Sequence, residues 1–258
     1  MIPKKVHYIW LGGNKLSPLS MMVKNSWKRN LPEYEIIEWN ENNLPINELR
    51  KKNKFFDECC KRNLWAFMSD YLRLWILYNY GGIYMDTDVE VVKSMDKLLI
   101  NKSFFGFESG NEALGEYIGT GVIGSEKGNK TIKYLLDFYN QGIWEDDEYV
   151  NTILLKKIYL RNKNVFKEAK IYPRSTFAPY SPYDYIENEK STIERNETIT
   201  IHWYSSNWNM SLKGYLFLTT KNIPNSILRY IIKLRRLIGY FKRYWNWERV
   251  HNSFSKKH

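Results

Sequence analysis

Short apolar runs alternate with longer amphipathic stretches along most of the 258-residue chain. Runs rich in aromatic and β-branched residues predict strands over residues 6–11, 34–40, 83–92, 103–108, 118–125 and 198–204. Helical spacing of apolar positions predicts helices over residues 16–30, 64–80, 129–141 and 149–160, with part of 42–61 also helical. Strands that alternate with helices predict an α/β domain with a mainly parallel central sheet.

The predicted helix over residues 64–80 is apolar nearly all round, which is typical of a helix buried between layers. Gly81 and Gly82 follow it, as glycine does at many helix C-termini. Asp70 and Arg73 are three residues apart and therefore share a face. Charges are rarely buried unless they are paired or liganded. The two groups are therefore a structural ion pair, or they point into a site at the end of the next strand.

Asp86 and Asp88 lie in the next predicted strand, where residues two apart point to the same side. Two carboxylates in one small volume repel each other unless a cation or water reaches both. A solvated strand end and a cation site are thus the alternatives. An EF-hand loop is excluded, because its sixth and twelfth positions would be Val91 and Lys97 instead of Gly and Glu.

A hard divalent ion held by carboxylates commonly completes its shell with phosphate oxygens, which makes a diphosphate the natural ligand here. The sequence has neither a Walker loop nor a Gly-x-Gly-x-x-Gly fingerprint. The metal and side chains must therefore hold the phosphates, and the Arg73 guanidinium suits that role.

Three blocks carry a family resemblance: IPKKVHYIWLGG (2–13), SDYLRLWILYNYGGIYMDTDVEV (69–91) and HWYSSNW (202–208). They resemble the signature blocks of the DXD-type sugar transferases of glycosyltransferase family 32. That family includes yeast-type α-mannosyltransferases and bacterial capsule or lipopolysaccharide enzymes, and it is related to the glucosyltransferase domains of large clostridial toxins. The resemblance implies a Rossmann-like GT-A fold and transfer of a hexose with retention of configuration. It also implies Mn²⁺ or Mg²⁺ and a nucleotide-sugar donor, with UDP preferred and GDP possible.

The resemblance also implies roles for residues in the first two blocks. Trp10 would stack on the nucleotide base, since base–aromatic stacking is worth about 1–3 kcal/mol; the alternative for Trp10 is a core position. Asp70 and Arg73 would hold the sugar or the ribose. Asp86 would contact the ribose or the metal, and Asp88 would bind the metal directly.

In the third block, Ser206 and Trp208 match a hydroxyl and an indole that contact the leaving phosphate in related enzymes. His202 is implied as a further metal ligand, with a structural histidine as the alternative. The sequence departs from its relatives at Trp203 and Asn207, where many members have a second His or a Ser. The identity of the third protein ligand therefore stays open at this point.

Residues between the second and third blocks are candidates for the acceptor side. Gly119, Thr120 and Gly121 interrupt a predicted strand, and Glu108 ends the strand before it. These four residues line the acceptor side or are ordinary loop residues. The acceptor implied by the resemblance is a lipid-linked glycan in capsule or lipopolysaccharide synthesis, and a toxin-like transfer to a protein is the alternative.

Most of the net charge of +11 lies in the last 47 residues, which carry eleven Lys/Arg and one acid, while residues 1–211 are nearly neutral. We expect a catalytic domain over residues 1–222 and a basic amphipathic helical segment over residues 223–258. One face of this helix is apolar and the opposite face is basic; the apolar set is Ile227, Ile231, Leu234, Ile238, Phe241 and Trp245, and the basic set is Arg229, Lys233, Arg236 and Arg243.

A basic helix with one apolar stripe is typical of a segment that lies on a membrane surface. The alternatives are packing of the stripe on the catalytic domain and, as a different class of function, nucleic-acid binding by the tail, which we do not expect. The N-terminal residues lack a signal-peptide pattern, and Cys59 and Cys60 are adjacent and fit a reducing compartment. We therefore expect a cytoplasmic protein at the inner face of the plasma membrane.

Overall fold

The computed structural model describes residues 1–108, 116–146, 148–180, 196–205 and 212–255, and it describes the side chains up to residue 242 except that of residue 240. Its strands are β1 Lys5–Ile9, β2 Glu35–Trp39, β3 Gly82–Met85, β4 Val89–Val91, β5 Ser103–Glu108, β6 Tyr117–Ser125, β7 Ala169–Tyr172 and β8 Thr200–His202. Its helices are α1 Pro18–Asn30, α2 Ile46–Lys52, α3 Lys54–Lys61, α4 Trp65–Tyr80, α5 Lys130–Gln141, α6 Asn151–Arg161, α7 Arg174–Phe177, α8 Leu212–Thr220 and α9 Ser226–Ser255.

Six strands form the central sheet in the order β2-β1-β3-β6-β5-β7. β1 pairs in parallel with β2 and β3, and β5 pairs in parallel with β7. β6 runs antiparallel to both of its neighbours, β3 and β5. The predicted α/β domain with a mainly parallel sheet is confirmed, with β6 as the one reversed strand of this sheet.

Apolar side chains pack on both faces of the sheet and form two hydrophobic clusters. The alternation along β3 separates them, since Ile83 and Met85 belong to one cluster and Tyr84 belongs to the other. The predicted buried helix is confirmed as α4, whose residues from Phe67 to Leu74 are all buried. Gly81 ends α4 with a φ of 65°, and a Cβ there would come within 2.7 Å of the Lys127 backbone nitrogen.

The predicted continuous strand over residues 83–92 is wrong in its middle. The chain leaves the central sheet after β3, turns through residues 86–88, and then forms β4, which pairs antiparallel with β8 in a separate two-stranded ribbon. Backbone hydrogen bonds from Asp86 N to Gly121 O and from Val89 N to Asp86 O, at 2.9 and 3.0 Å, fix this change of sheet. The two aspartates therefore stand at the carboxyl end of a central strand, where ligands bind in open α/β sheets.

Within the described residues, no helix combines the length and the apolar character needed to cross a bilayer. The division of the chain between residues 222 and 223 stays a prediction.

Candidate active site

Asp86, Asp88 and His202 converge at the turn between β3 and β4. Each offers one ligand atom, and these atoms all lie within 4.8 Å of one another. His202 comes from β8, where it is the register partner of Val89, so the ribbon brings a residue 114 positions downstream of Asp88 next to it. The sequence pattern predicts both aspartates on one side of a strand, whereas the structure brings them together through a turn.

Ser205 and His202 hold Asp88 in a defined orientation. The Ser205 backbone N–H and hydroxyl donate to Asp88 Oδ2 at 2.8 and 3.0 Å, and His202 Nε2 lies 3.3 Å from Asp88 Oδ1. Burial by itself would raise the pKa of Asp88, but these partners outweigh it and lower the pKa to about 2. Asp88 is therefore an anion at neutral pH.

The same cluster acts on His202. Burial would lower the pKa of His202, whereas the carboxylates of Asp88, Asp86 and Glu108 outweigh that effect and raise it to about 9. The protonated imidazole thus balances the negative charge in the protein alone. Two carboxylates and an imidazole suit Mn²⁺, and the carboxylates alone suit Mg²⁺. The donor set therefore fits the divalent ion that the DXD resemblance implies.

A glycine on the neighbouring strand β6 makes room for this cluster. A Cβ on Gly121 would lie 3.1 Å from His202 Cε1 and 3.2 Å from Asp86 Oδ2. Contacts of that length are tighter than ordinary van der Waals contact, so either group would have to move. A glycine at position 121 therefore lets both side chains come close to the sheet.

Arg73 connects the candidate metal-binding cluster of Asp86, Asp88 and His202 to the interior of the domain. It projects from buried α4, where it is 4 % exposed, and its Nη2 lies 2.9 Å from Asp70 Oδ1. Its Nη1 donates to Thr120 O at 2.7 Å and to Thr120 Oγ1 at 3.0 Å, and lies 3.5 Å from Asp86 Oδ1. The predicted structural ion pair with Asp70 therefore exists, and the same guanidinium also reaches the site. The two interpretations of the sequence are compatible.

Asp70 also accepts a hydrogen bond from Asn151. Asn151 Nδ2 lies 2.5 Å from Asp70 Oδ1 and 2.6 Å from Thr120 Oγ1. Burial is the main cause that raises the pKa of Asp70 to about 6, against the opposing effect of Arg73. Asp70 thus lies in a polar network that borders the candidate metal-binding cluster through Arg73.

Sequence reasoning did not find Asn151 or Ser205, and it named Thr120 only as a candidate on the acceptor side. Asn151 is the first residue of α6, where an asparagine suggests nothing more than a helix start. Ser205 stands directly before the predicted Ser206, inside a motif whose register the resemblance had fixed. Neither residue belongs to a charge pattern in the sequence. Their hydrogen bonds to Asp70 and Asp88 are visible only in the folded structure.

Trp10 follows β1 at the carboxyl edge of the sheet and is partly buried. Its Nε1 donates to Asn14 O at 2.6 Å, and its ring packs against the apolar cluster that contains Ile83 and Met85. Its stacking on a base stays a prediction. Ser206 and Trp208 lie outside the described residues, so their predicted phosphate contacts also stay predictions.

Comparisons with known proteins bear on this part of the chain. Residues 18–105 match the family model described as "Glycosyltransferase sugar-binding region containing DXD motif". The matched segment contains Asp70, Arg73, Asp86 and Asp88. The predicted resemblance to the DXD-type sugar transferases is confirmed.

Three proteins with different names are similar in sequence to this chain. The chain is 31% identical over 109 residues to inositol phosphoceramide mannosyltransferase 1 of Schizosaccharomyces pombe, which covers 40% of this chain and 33% of that protein. It is 26% identical over 171 residues to subversion of eukaryotic traffic protein A of Legionella pneumophila, covering 57% of this chain and 26% of that protein. A glycosyltransferase of Acanthamoeba polyphaga mimivirus, called uncharacterized, is 27% identical over 57% of this chain and 58% of its own length. The chain therefore spans well under two thirds of these relatives.

Solved glycosyltransferase structures are also similar. The PaToxG glycosyltransferase aligns over 64% of this chain and 73% of its own, with a TM-score of 0.47 and 20% identity. The galactosyltransferase LgtC aligns over 78% of this chain and 87% of its own, with a TM-score of 0.45 and 13% identity.

Proposed function

We propose that this chain is a metal-dependent retaining glycosyltransferase that moves a hexose from a UDP-sugar to a glycan acceptor. The observation that carries the proposal is the bridge made by Arg73. One guanidinium lies 2.9 Å from Asp70 Oδ1 and 3.5 Å from Asp86 Oδ1, so it joins the buried polar network to the candidate metal ligands. The confirmed resemblance over residues 18–105 supports a nucleotide-sugar donor, and retention and the choice of UDP over GDP rest on the family 32 resemblance.

In this proposal Asp86, Asp88 and His202 hold the divalent ion. When bound, the ion supplies Lewis-acid stabilisation of the charge on the departing diphosphate. Ser205 orients Asp88 through two hydrogen bonds, and Arg73 adds a fixed cation beside Asp86. Asp70 presents a carboxyl group for the hydroxyls of the donor.

Nucleotide release from a panel of UDP- and GDP-hexoses in Mn²⁺ tests this proposal. We expect the wild type to release UDP, slowly to water and faster when a glycan acceptor is present. Asp88→Asn should lower the rate at least 100-fold, because it weakens metal binding and loses the charge that balances His202. Asp137→Asn, at a partly exposed position of α5, is the matched control and should retain the wild-type rate. Equal rates for wild type and Asp88→Asn would refute the proposed site.

We further propose that helix α9 holds the enzyme on an anionic membrane, where the acceptor is a lipid-linked glycan of capsule or lipopolysaccharide type. The apolar stripe predicted from the sequence faces outward in the described part of α9: Ile227, Ile231, Leu234, Ile238 and Phe241 are 50–71% exposed. The side chains of Arg243 and Trp245 are not among those that the structure describes. The alternative in which the stripe packs on the catalytic domain is therefore wrong for the first half of the helix.

Two arginines on the opposite face of α9 support this orientation. Arg229 donates to Ile223 O in the link that precedes α9, and Arg236 donates to Thr219 O at the C-terminal end of α8. Cations are favourable there, because the carbonyls of a helix C-terminus carry partial negative charge. The exposed residues Arg235 and Lys242 border the stripe and would face anionic headgroups, each worth on the order of 1 kcal/mol.

Flotation on vesicles of phosphatidylcholine with phosphatidylserine tests the membrane proposal. We expect wild-type protein to float with these vesicles, to float less in high salt, and not to float with phosphatidylcholine alone. The double variant Ile231→Glu/Ile238→Glu should lose flotation, whereas Leu228→Glu, exposed but off the stripe, should retain most of it. Equal flotation of the two variants would contradict the proposal. A gel shift with duplex DNA and with RNA examines the competing nucleic-acid role.

Transfer to a protein is the second candidate for the acceptor. The similarity to the Legionella protein named for subversion of eukaryotic traffic is the observation that favours it. Incubation of the enzyme and a radiolabelled UDP-sugar with separate lipid and protein extracts distinguishes the two. Label in the lipid fraction supports the first proposal, and label in a protein band supports the second.

A further inference from the structure

A small cleft lies directly beside the candidate metal ligands. Its walls include Gly106 and Glu108 of β5, Gly119 and Gly121 of β6, Phe177 of α7, and His202. Gly121 and His202 border both the cleft and the metal-binding cluster. A molecule in this cleft would therefore lie next to a donor sugar whose diphosphate binds through a metal ion on Asp86 and Asp88.

Two glycines on neighbouring strands shape one wall of the cleft, because Gly106 and Gly119 are register partners across the β5–β6 pair. The Glu108 carboxyl group and the Phe177 ring fill the space over them: a Cβ on Gly119 would lie 2.7 Å from Glu108 Oε2, and a Cβ on Gly106 would collide with the Phe177 ring. The Glu108 carboxyl group thus occupies a position over Gly119 that only a glycine permits.

The Glu108 carboxyl group makes no hydrogen bond or ion pair with the described residues that would account for its position. Among the parts of the chain that the structure describes, no donor lies within hydrogen-bonding distance of its carboxyl group and no cation forms an ion pair with it. The residue keeps a partly exposed edge, yet protein crowds the carboxyl group, and this burial raises its pKa to about 7. Crowded polar groups normally have partners, so a carboxyl group without one has hydrogen-bonding capacity for a ligand.

We propose that this cleft is the acceptor site and that Glu108 hydrogen-bonds a hydroxyl group of the acceptor sugar. The proposal rests on the proposed transferase function and adds the location of the second substrate. A carboxyl group can bond a sugar hydroxyl in either protonation state, as an acceptor when ionised and as a donor when protonated. The wall that the cleft shares with the candidate metal ligands, at His202, would bring the acceptor sugar next to the donor.

Saturation-transfer NMR with methyl glycosides of glucose, galactose, mannose and N-acetylglucosamine tests this proposal, with UDP and Mn²⁺ present. At least one glycoside should bind the wild type, and Glu108→Ala should weaken its binding at least tenfold. Glu108→Gln should restore most of that affinity, because an amide still bonds a hydroxyl. The exposed Glu116→Ala is the matched control and should bind as the wild type does.

Calorimetric titration with UDP and Mn²⁺ shows whether each variant keeps its donor site. Glu108→Ala should bind UDP within about twofold of the wild type. Gly119→Ala should also keep its UDP binding, and it should lose glycoside affinity as Glu108→Ala does, because its Cβ displaces the Glu108 carboxyl group. Equal glycoside affinity in wild type and Glu108→Ala, or no glycoside binding to a wild type that binds UDP, would overturn the acceptor site alone. No UDP binding by the wild type would instead overturn the proposed function on which it rests.

Discussion

Arg73 is the residue on which the interior of the site depends most. A guanidinium has five N–H donors in a rigid fork, and here they serve Asp70, Asp86 and Thr120 together. The guanidinium also lies 4.6 Å from the centroid of the Tyr84 ring. Because Arg73 is the cation within contact distance of buried Asp70, its removal would leave an uncompensated carboxylate inside the protein.

We therefore predict that Arg73→Met lowers the free energy of unfolding by about 3–5 kcal/mol, the cost of breaking a buried ion pair at one partner. Lys133→Met removes the cation of the exposed Lys133–Asp137 pair and should cost about 0–1 kcal/mol. Urea denaturation at pH 7.5 measures both values. A similar, small loss in the two variants would mean that Asp70 and Arg73 do not stabilise each other as described.

At the scale of residues, the sequence predicts which charged side chains lie in the site. It does not predict the uncharged side chains that hydrogen-bond them. Asp70, Arg73, Asp86 and Asp88 are recognisable because charges in apolar surroundings are unusual. Asn151 and Ser205 are small polar residues in stretches where such residues are common. Only the fold shows that both donate to the carboxylates of the site.

Three elements are joined by one buried histidine, His7 of β1. The Trp39 indole N–H of β2 donates to His7 Nδ1 at 3.0 Å, and His7 Nε2 donates to Gly81 O at the end of α4, 2.7 Å away. Since an indole N–H can only donate, Nδ1 must accept, and the imidazole is neutral. Burial lowers the pKa of His7 to about 4.

A depressed histidine pKa makes stability depend on pH in a defined direction. The unfolded chain binds a proton below a pH of about 6.5, whereas folded His7 binds one only below about 4. The contribution of His7 therefore decreases as pH falls from 6.5 to 4, by roughly 3 kcal/mol in all.

We predict that His7→Gln has lower stability than the wild type at pH 7.5 but loses roughly 2–3 kcal/mol less between pH 6.5 and pH 4. The reason is that glutamine cannot take up the proton that favours the unfolded wild type. Urea denaturation of both proteins at intervals of half a pH unit gives the comparison. Parallel pH curves for the two proteins would show that His7 does not titrate as proposed.

At the scale of elements, apolar patterns predicted the strands and helices well where tertiary pairing agrees with local preference. The pattern over residues 83–92 is continuous, yet β3 and β4 belong to different sheets. β4 pairs with β8, which lies more than a hundred residues later in the chain. The local sequence of β4 cannot indicate so distant a partner. The antiparallel direction of β6 also depends on its pairing with β3 and β5, which the local sequence does not indicate.

For the whole molecule, charge separates the candidate site from the C-terminal helix along the chain. The site is built by residues 1–205 of the nearly neutral part, and the charge excess begins at residue 212. The sequence predicted an amphipathic helix there and left the direction of its apolar face open. The direction depends on Arg236 reaching Thr219 O at the end of α8, which is a tertiary contact.

The central claim is that Asp86, Asp88 and His202 form a metal-dependent nucleotide site. Isothermal titration of UDP and GDP, with and without Mn²⁺, tests it most directly in the wild type and in Asp88→Asn. We predict micromolar UDP binding that requires Mn²⁺, is tighter than GDP binding, and is lost in Asp88→Asn but kept in Asp137→Asn. Nucleotide binding that ignores both the metal and the Asp88 substitution, or no nucleotide binding under any of these conditions, would contradict the account.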